Sequence, residues 1–189
     1  MQRRRFMNKT LITFIGNPSS GKSTLLKDLS EHFKNKVEIL SASGSLRAEV
    51  ARGTTLGNEI NSYIQSGIYT PLSLSGPVFK NAIEKADSGV LFLDHFIPTF
   101  LADTYEGKPD GLIAILATPE TSLSRSAKRG RDDDALILKR LAVWDEQTLP
   151  EIAFCQARVP TLVIRVDTTT TTEEVKNQAI AFLSNTFKL

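Results

Sequence analysis

Short apolar runs and amphipathic stretches alternate along this chain from end to end. Five runs, at residues 10–15, 37–41, 89–93, 112–117 and 161–166, are apolar on consecutive positions. That pattern predicts strands buried on both faces, not strands with one wet side. Between them apolar positions recur at helical spacing, which predicts helices near 22–33, 46–52, 56–67, 76–86, 120–128, 135–157 and 172–183. The alternation predicts an α/β fold with a five-stranded parallel sheet flanked by helices. Pro71 and Pro77 bracket a loop before one helix, and Pro119-Glu120 opens another. The threonine run at 168–172 is read as a loop whose Thr171 and Glu174 form a capping box. No repeat or linker divides the chain, so residues 1–189 are read as one domain.

The first apolar run leads into Gly16-Asn17-Pro18-Ser19-Ser20-Gly21-Lys22-Ser23-Thr24, and a helical pattern follows. This is a full glycine-rich phosphate loop in the context it needs. A strand delivers the chain, glycines let backbone N–H groups turn inward, and the next helix aims its positive end at phosphates. Lys22 reaches the terminal phosphates, and the Ser23 hydroxyl is the expected Mg²⁺ ligand. Chance alone supplies these four fixed positions in about one per cent or less of chains this long. The bound ligand is therefore expected to be a nucleoside triphosphate.

Composition narrows the partners. The 23 basic and 21 acidic residues leave a net charge of +2, which gives no nucleic-acid footprint. No span approaches the length of a membrane helix, and a cytoplasmic monomer acting on small-molecule nucleotides is expected. The basic start, Arg3-Arg4-Arg5, is read as a solvated tail. Cys155 is the only cysteine and is expected in the core; His32 and His95 are too few and too far apart for a metal site.

Two further features belong with the loop. Leu91-Phe92-Leu93-Asp94 is an apolar strand ending in a carboxylate, and at the carboxyl end of a parallel strand Asp94 can face a Mg²⁺ shell. Read alone, it could equally be a turn or capping residue. Arg125, Arg129, Arg131 and Arg140 fall in one stretch. Planar guanidinium groups match the spread negative charge of a transferring phosphoryl group, although pairing with Asp132, Asp133 and Asp134 on a solvated helix would also account for them.

With these residues in hand the chain resembles the adenylate kinase group of nucleoside monophosphate kinases over nearly its whole length. The glycine loop with its internal Pro18, the stretch 41–50 with Leu46-Arg47, and the stretch 53–71 with Leu56-Gly57 and Gly67-Ile68-Tyr69-Thr70-Pro71 all carry the likeness. So do Pro119-Glu120-Thr121 with Arg125, Lys139-Arg140-Leu141, and Thr148-Leu149-Pro150 with the helix after it. The resemblance implies ATP as donor, Mg²⁺, a helical acceptor-binding insertion at about 42–72, and a lid reduced to about 126–134. It implies that Lys22 stabilises the transferring group and that Asp94 acts through Mg²⁺-bound water. Arg47 would hold the acceptor phosphate, with Ser43, Tyr69 and Asp94 around the acceptor; His95, beside Asp94, is a candidate acceptor contact or simply a turn residue after the strand. Arg125 would lie against the donor, and Arg140 with either Arg129 or Arg131 would clamp the transition state.

The acceptor side departs from the family pattern. The Asp-Gly-[Phe/Tyr]-Pro-Arg signature reads Asp94-His95-Phe96-Ile97-Pro98, so Pro98 replaces the arginine that grips the acceptor phosphate. Ala102 replaces the glutamine that reads adenine, and Ala42 and Gly44 replace a threonine and an aspartate. Losing one bidentate arginine contact is worth on the order of 1.5–3 kcal/mol, roughly 10- to 150-fold. AMP is therefore not singled out as acceptor. The expected activity is Mg²⁺-dependent phosphoryl transfer from ATP to a nucleoside monophosphate. The alternatives are a kinase for another small molecule, or a nucleotide-binding regulatory module with weak ATPase activity.

Overall fold

The computed structural model describes residues 9–105, 108–129 and 137–189. Five strands, β1 (Thr10–Gly16), β2 (Glu38–Ser41), β3 (Val90–Asp94), β4 (Gly111–Ala117) and β5 (Thr161–Val166), form one parallel sheet in the order β2-β3-β1-β4-β5. The helices are α1 (Lys22–Phe33), α2 (Ala42–Ala51), α3 (Thr55–Gln65), α4 (Leu72–Lys85), α5 (Pro98–Thr104), α6 (Pro119–Arg129), α7 (Ile137–Gln147), α8 (Leu149–Gln156) and α9 (Thr172–Phe187).

Consecutive apolar residues in the strands serve opposite faces, because side chains alternate across a sheet. Ile12 and Phe14 pack with Leu25, Leu26 and Leu29 of α1 and Val175, Ala179 and Leu183 of α9. Leu11, Leu91 and Leu93 pack on the other face against Phe79 and Ile83 of α4 and Leu101 of α5. Beside them, Ile15, Leu112 and Ala114 meet Trp144 of α7 and Ile152 and Cys155 of α8. Burial of each large aliphatic or phenylalanine side chain among them contributes about 1.5–3 kcal/mol. Cys155 is a core residue as expected, and burial pushes its thiol up to about 12, where it is inert at neutral pH.

Several element boundaries differ from the sequence pattern. The helix expected over 135–157 is two helices, broken at Thr148. Pro150 lies in the first turn of α8 and supplies no N–H to continue α7. Residues 130–136, including the start of that expected helix, lie outside the described residues. Pro77 does not mark a loop; it lies inside α4, which begins at Leu72. There Leu74 and Ser75 N–H groups close the first turn on the Pro71 carbonyl, and Pro77 is exposed, so the bond it cannot make is left to water. α5 was not predicted at all. The capping box at Thr171 and Glu174 is present as expected. Among the described residues, no helix is long and apolar enough to cross a membrane.

This topology fixes where a ligand can sit. β1 runs between β3 and β4, so the connections leaving β1 and its two neighbours diverge at their carboxyl ends. In open parallel sheets that crevice is the ligand site, and here it contains the loop from Gly16 to Lys22.

Candidate functional site

The glycine loop is anchored before it can bind anything. The Asn17 side chain pairs with β4 like an extra strand residue: its Nδ2 donates to the Ala117 carbonyl (2.7 Å), and its Oδ1 accepts from the Ala117 N–H (2.9 Å). Asn17, expected as a nucleotide contact, therefore spends its side chain on the scaffold. Asn17→Ala would leave both Ala117 groups without partners, and it is expected to lower the unfolding free energy by about 1–3 kcal/mol in urea titration. Ser19 and Gly21 take positive φ angles of 60° and 99°, which turns the loop back on itself.

The loop then opens on α1 without internal compensation. No side chain caps the α1 N-terminus, and its first turn carries no acidic residue. Ser19 Oγ and Ser20 Oγ are buried with no hydrogen-bond partner, while Ser23 and Thr24 are exposed beside them. Unsatisfied donors around a helix N-terminus form a site for an anion. A triphosphate group fits this donor set. Ser23 and Asp94 are the oxygen donors suited to a hard cation such as Mg²⁺.

Asp94 ends β3, and its Oδ1 accepts a hydrogen bond from Lys22 Nζ in an ion pair. The turn after it is held from below. The His95 N–H donates to the Phe14 carbonyl (2.9 Å), and buried Thr13 donates its hydroxyl to the Phe96 carbonyl (2.8 Å). Thr13 thus positions Asp94 and His95, a role the sequence reading missed. Its signal was a polar residue inside an otherwise apolar strand.

Arg125 projects from α6 onto the loop, its Nη1 donating to the Ser20 carbonyl (3.1 Å). It shares a crevice with Gly21, Thr24 and the threonines 170–172 that precede α9. Thr170 is fixed by Asp167, whose Oδ1 accepts from the N–H and hydroxyl groups of both Thr169 and Thr170.

The acceptor-side candidates gather around Asp94. Ser41 is in register with Asp94, so α2 starts beside it. The Ser41 hydroxyl caps that helix by accepting from the Gly44 N–H, and it lies 3.2 Å from Ser43 Oγ. Arg47 is exposed on α2 and makes no ion pair among the described residues. Tyr69, in the turn between α3 and α4, lies parallel to His95, with ring centroids 6.2 Å apart and planes 7° apart. Burial, with Lys22 and Arg140 nearby, pulls the His95 imidazole down to about 4, so it is neutral at physiological pH. Arg140 also acts on Tyr69, so the structure brings this arginine to the same cluster. The Arg129 side chain and Arg131, like most of the expected lid, lie outside the described residues.

Pro98 opens α5, and the residue that caps this helix is distant in sequence. That residue is Glu151 of α8: Thr99 N–H donates to its Oε2 (2.9 Å) and Thr99 Oγ1 to its Oε1 (2.8 Å). Where the signature would carry an arginine, the start of α5 is thus closed by an internal carboxylate.

A parallel sheet, a glycine loop between β1 and α1, and a carboxylate at the end of β3 define a P-loop kinase domain. The chain matches the family described as AAA domain over residues 15–137. It is 31% identical to the adenylate kinase of Nautilia profundicola over 150 residues, covering 73% of this chain and 78% of that protein. It is 29% identical to the adenylate kinase of Parasynechococcus marenigrum over 186 residues, covering 93% and 100%. With adenylate kinase isoenzyme 1 of Cyprinus carpio it shares 32% over 160 residues, covering 78% and 81%. The chain belongs to the adenylate kinase family.

Proposed function

We propose that this protein transfers the terminal phosphoryl group of ATP to a nucleoside monophosphate, acting as a monomer. The observation that carries the reading is the Lys22–Asp94 pair at the mouth of a loop whose serine hydroxyls have no protein partner. A triphosphate would compete with Asp94 for the Lys22 ammonium. Lys22 would then lie against the transferring group, and the freed carboxylate, with Ser23, would hold a cation. That cation, Mg²⁺, supplies charge neutralisation along the phosphates. Arg125 holds the donor end against the loop, and Arg140 adds positive charge beside His95 and Tyr69. Ser43, in the first turn of α2, and Arg47, a turn further along it, bind the acceptor phosphate, whose oxygen attacks the terminal phosphorus as ADP leaves.

A second reading, a kinase for another anionic small molecule, is favoured by one feature. Pro98 and the Glu151-capped start of α5 offer an acceptor phosphate neither a guanidinium nor a free N–H at Thr99. One assay separates the two readings. ADP release with Mg²⁺·ATP is measured against AMP, CMP, UMP, GMP, their deoxy forms and no acceptor. The expected result is turnover that depends on a nucleotide acceptor and disappears when EDTA removes the cation. Release indifferent to all of them rejects the nucleotide acceptor.

A further inference from the structure

Glu151 joins two parts of the cleft that the chain reaches by separate routes. It lies in the first turn of α8 and is 9% exposed. Taking a carboxylate out of water is unfavourable unless hydrogen bonds replace the lost hydration. Thr99 supplies two of them, its N–H donating to Oε2 (2.9 Å) and its hydroxyl to Oε1 (2.8 Å). Two bonds to one carboxylate fix orientation as well as distance.

Each side of this grip leads to the site within a short stretch of chain. Thr99 follows Asp94 closely, and the turn between them is held to β1 by the His95 N–H on Phe14 and the Thr13 hydroxyl on Phe96. Glu151 follows the break at Thr148, where the Thr148 N–H donates to the Trp144 carbonyl (2.8 Å) and the Glu151 N–H to the Thr148 carbonyl (3.1 Å). Hydrogen bonding thus continues around the corner from α7 to α8, and a displacement of Glu151 would reach α7 and its Arg140. β1 holds the Asp94 turn against the phosphate loop. Glu151 holds the same turn against the helix that carries Arg140.

We propose that Glu151 is a positioning residue, whose two-point grip on Thr99 keeps Asp94 and the Arg140-bearing helix in one frame without touching a substrate. The proposal rests on the reading of this cleft as a phosphoryl-transfer site. A misplacement near 1 Å caused far from the chemistry costs about 10²-fold in rate. Ser20 and Arg125, which meet at the donor end, lie outside this link. Nucleotide binding should therefore not share the loss.

The test measures kcat at saturating substrates, the Kd for ATP in EDTA, and how far Mg²⁺ tightens that Kd. Urea titration gives the folded fraction of each variant. Glu151→Ala loses both bonds, whereas Glu151→Gln and Thr99→Val are near-isosteric and each keep one. Glu151→Ala is expected to lower kcat by about 10²-fold and to keep the metal-free Kd within about 2-fold of the wild type. It is also expected to shrink the tightening by Mg²⁺, because Asp94 is displaced. Glu151→Gln and Thr99→Val should fall in between, and adding Thr99→Val to Glu151→Ala should cause no further loss, since the two share one interaction. A Glu151→Ala protein that is less stable in urea but keeps its kcat per folded molecule overturns the proposal. So does an equal loss of kcat and metal-free ATP affinity, which marks a general loosening of the cleft. If Glu151→Ala does not fold, the two near-isosteric variants decide, and wild-type kcat in both overturns it. A wild type that binds Mg²⁺·ATP but phosphorylates no acceptor rejects the transfer reading instead. The effect of the variants on the tightening by Mg²⁺ then decides for or against Glu151 by itself.

Discussion

Replacing Lys22 with alanine is expected to lower turnover by about 10²- to 10³-fold, the usual effect of removing one donor aimed at developing transition-state charge. Lys22 is the residue best placed for that role, since it begins α1 directly after the loop and its ammonium already seeks a carboxylate in the crevice. The variant should still fold. The two side chains are 15% and 19% exposed, so water can partly replace the lost partner of Asp94. The expected stability loss is about 1–3 kcal/mol, below the 3–5 kcal/mol of a fully buried pair. Single-turnover rates at saturating ATP, read beside a urea titration, separate these effects. A variant that keeps most of its turnover would remove Lys22 from the chemistry.

The second large effect is expected at Gly16. A Cβ there would lie 2.6 Å from Ser20 Oγ and 2.9 Å from the backbone oxygen of Ile115. The serine can rotate, but the carbonyl cannot. Ile115 belongs to β4, and Gly16 is its register partner in the sheet. In Gly16→Ala the loop itself must move, carrying its N–H groups off the positions the phosphates need. A displacement near 1 Å at such a site costs about 10²-fold in rate. ATP affinity, measured by equilibrium binding, should fall as well. Gly89→Ala is the matched control, because its Cβ would meet nothing within 4 Å and its φ is not positive. It is expected to leave binding unchanged. If Gly16→Ala binds ATP like the wild type, the close approach to β4 does not govern the loop.

The parts of this protein visible in its sequence are those whose causes are local. Strands buried on both faces need consecutive apolar residues, and the phosphate loop needs its glycines and lysine in order, so β1 to β5 and the loop could be read directly. The capping box at Thr171 and Glu174 is likewise contained within four residues. What escaped depends on partners distant in sequence. α5 is seven residues long, and its capping residue, Glu151, lies 52 positions from Thr99. The Thr13 bond to Phe96 spans 83 positions, and the Asn17 clamp on Ala117 spans 100. In each case the sequence shows a polar residue but not what it will meet. The break at Thr148 is different. Pro150 announced it, and helical periodicity running through the proline masked it. At the candidate site, Lys22, Asp94, Arg125 and Arg140 could be named from the sequence. The stacking of Tyr69 on His95 could not, because it depends on how the α3–α4 turn meets the end of β3.

The most direct test of phosphoryl transfer follows the γ-phosphate of ATP. Protein, Mg²⁺, a nucleoside monophosphate and ATP labelled at that position are mixed, and the products are separated. The label is expected in a nucleoside diphosphate made from the acceptor, and Lys22→Ala should slow its appearance. Label released only as inorganic phosphate, or left in ATP, would contradict the account.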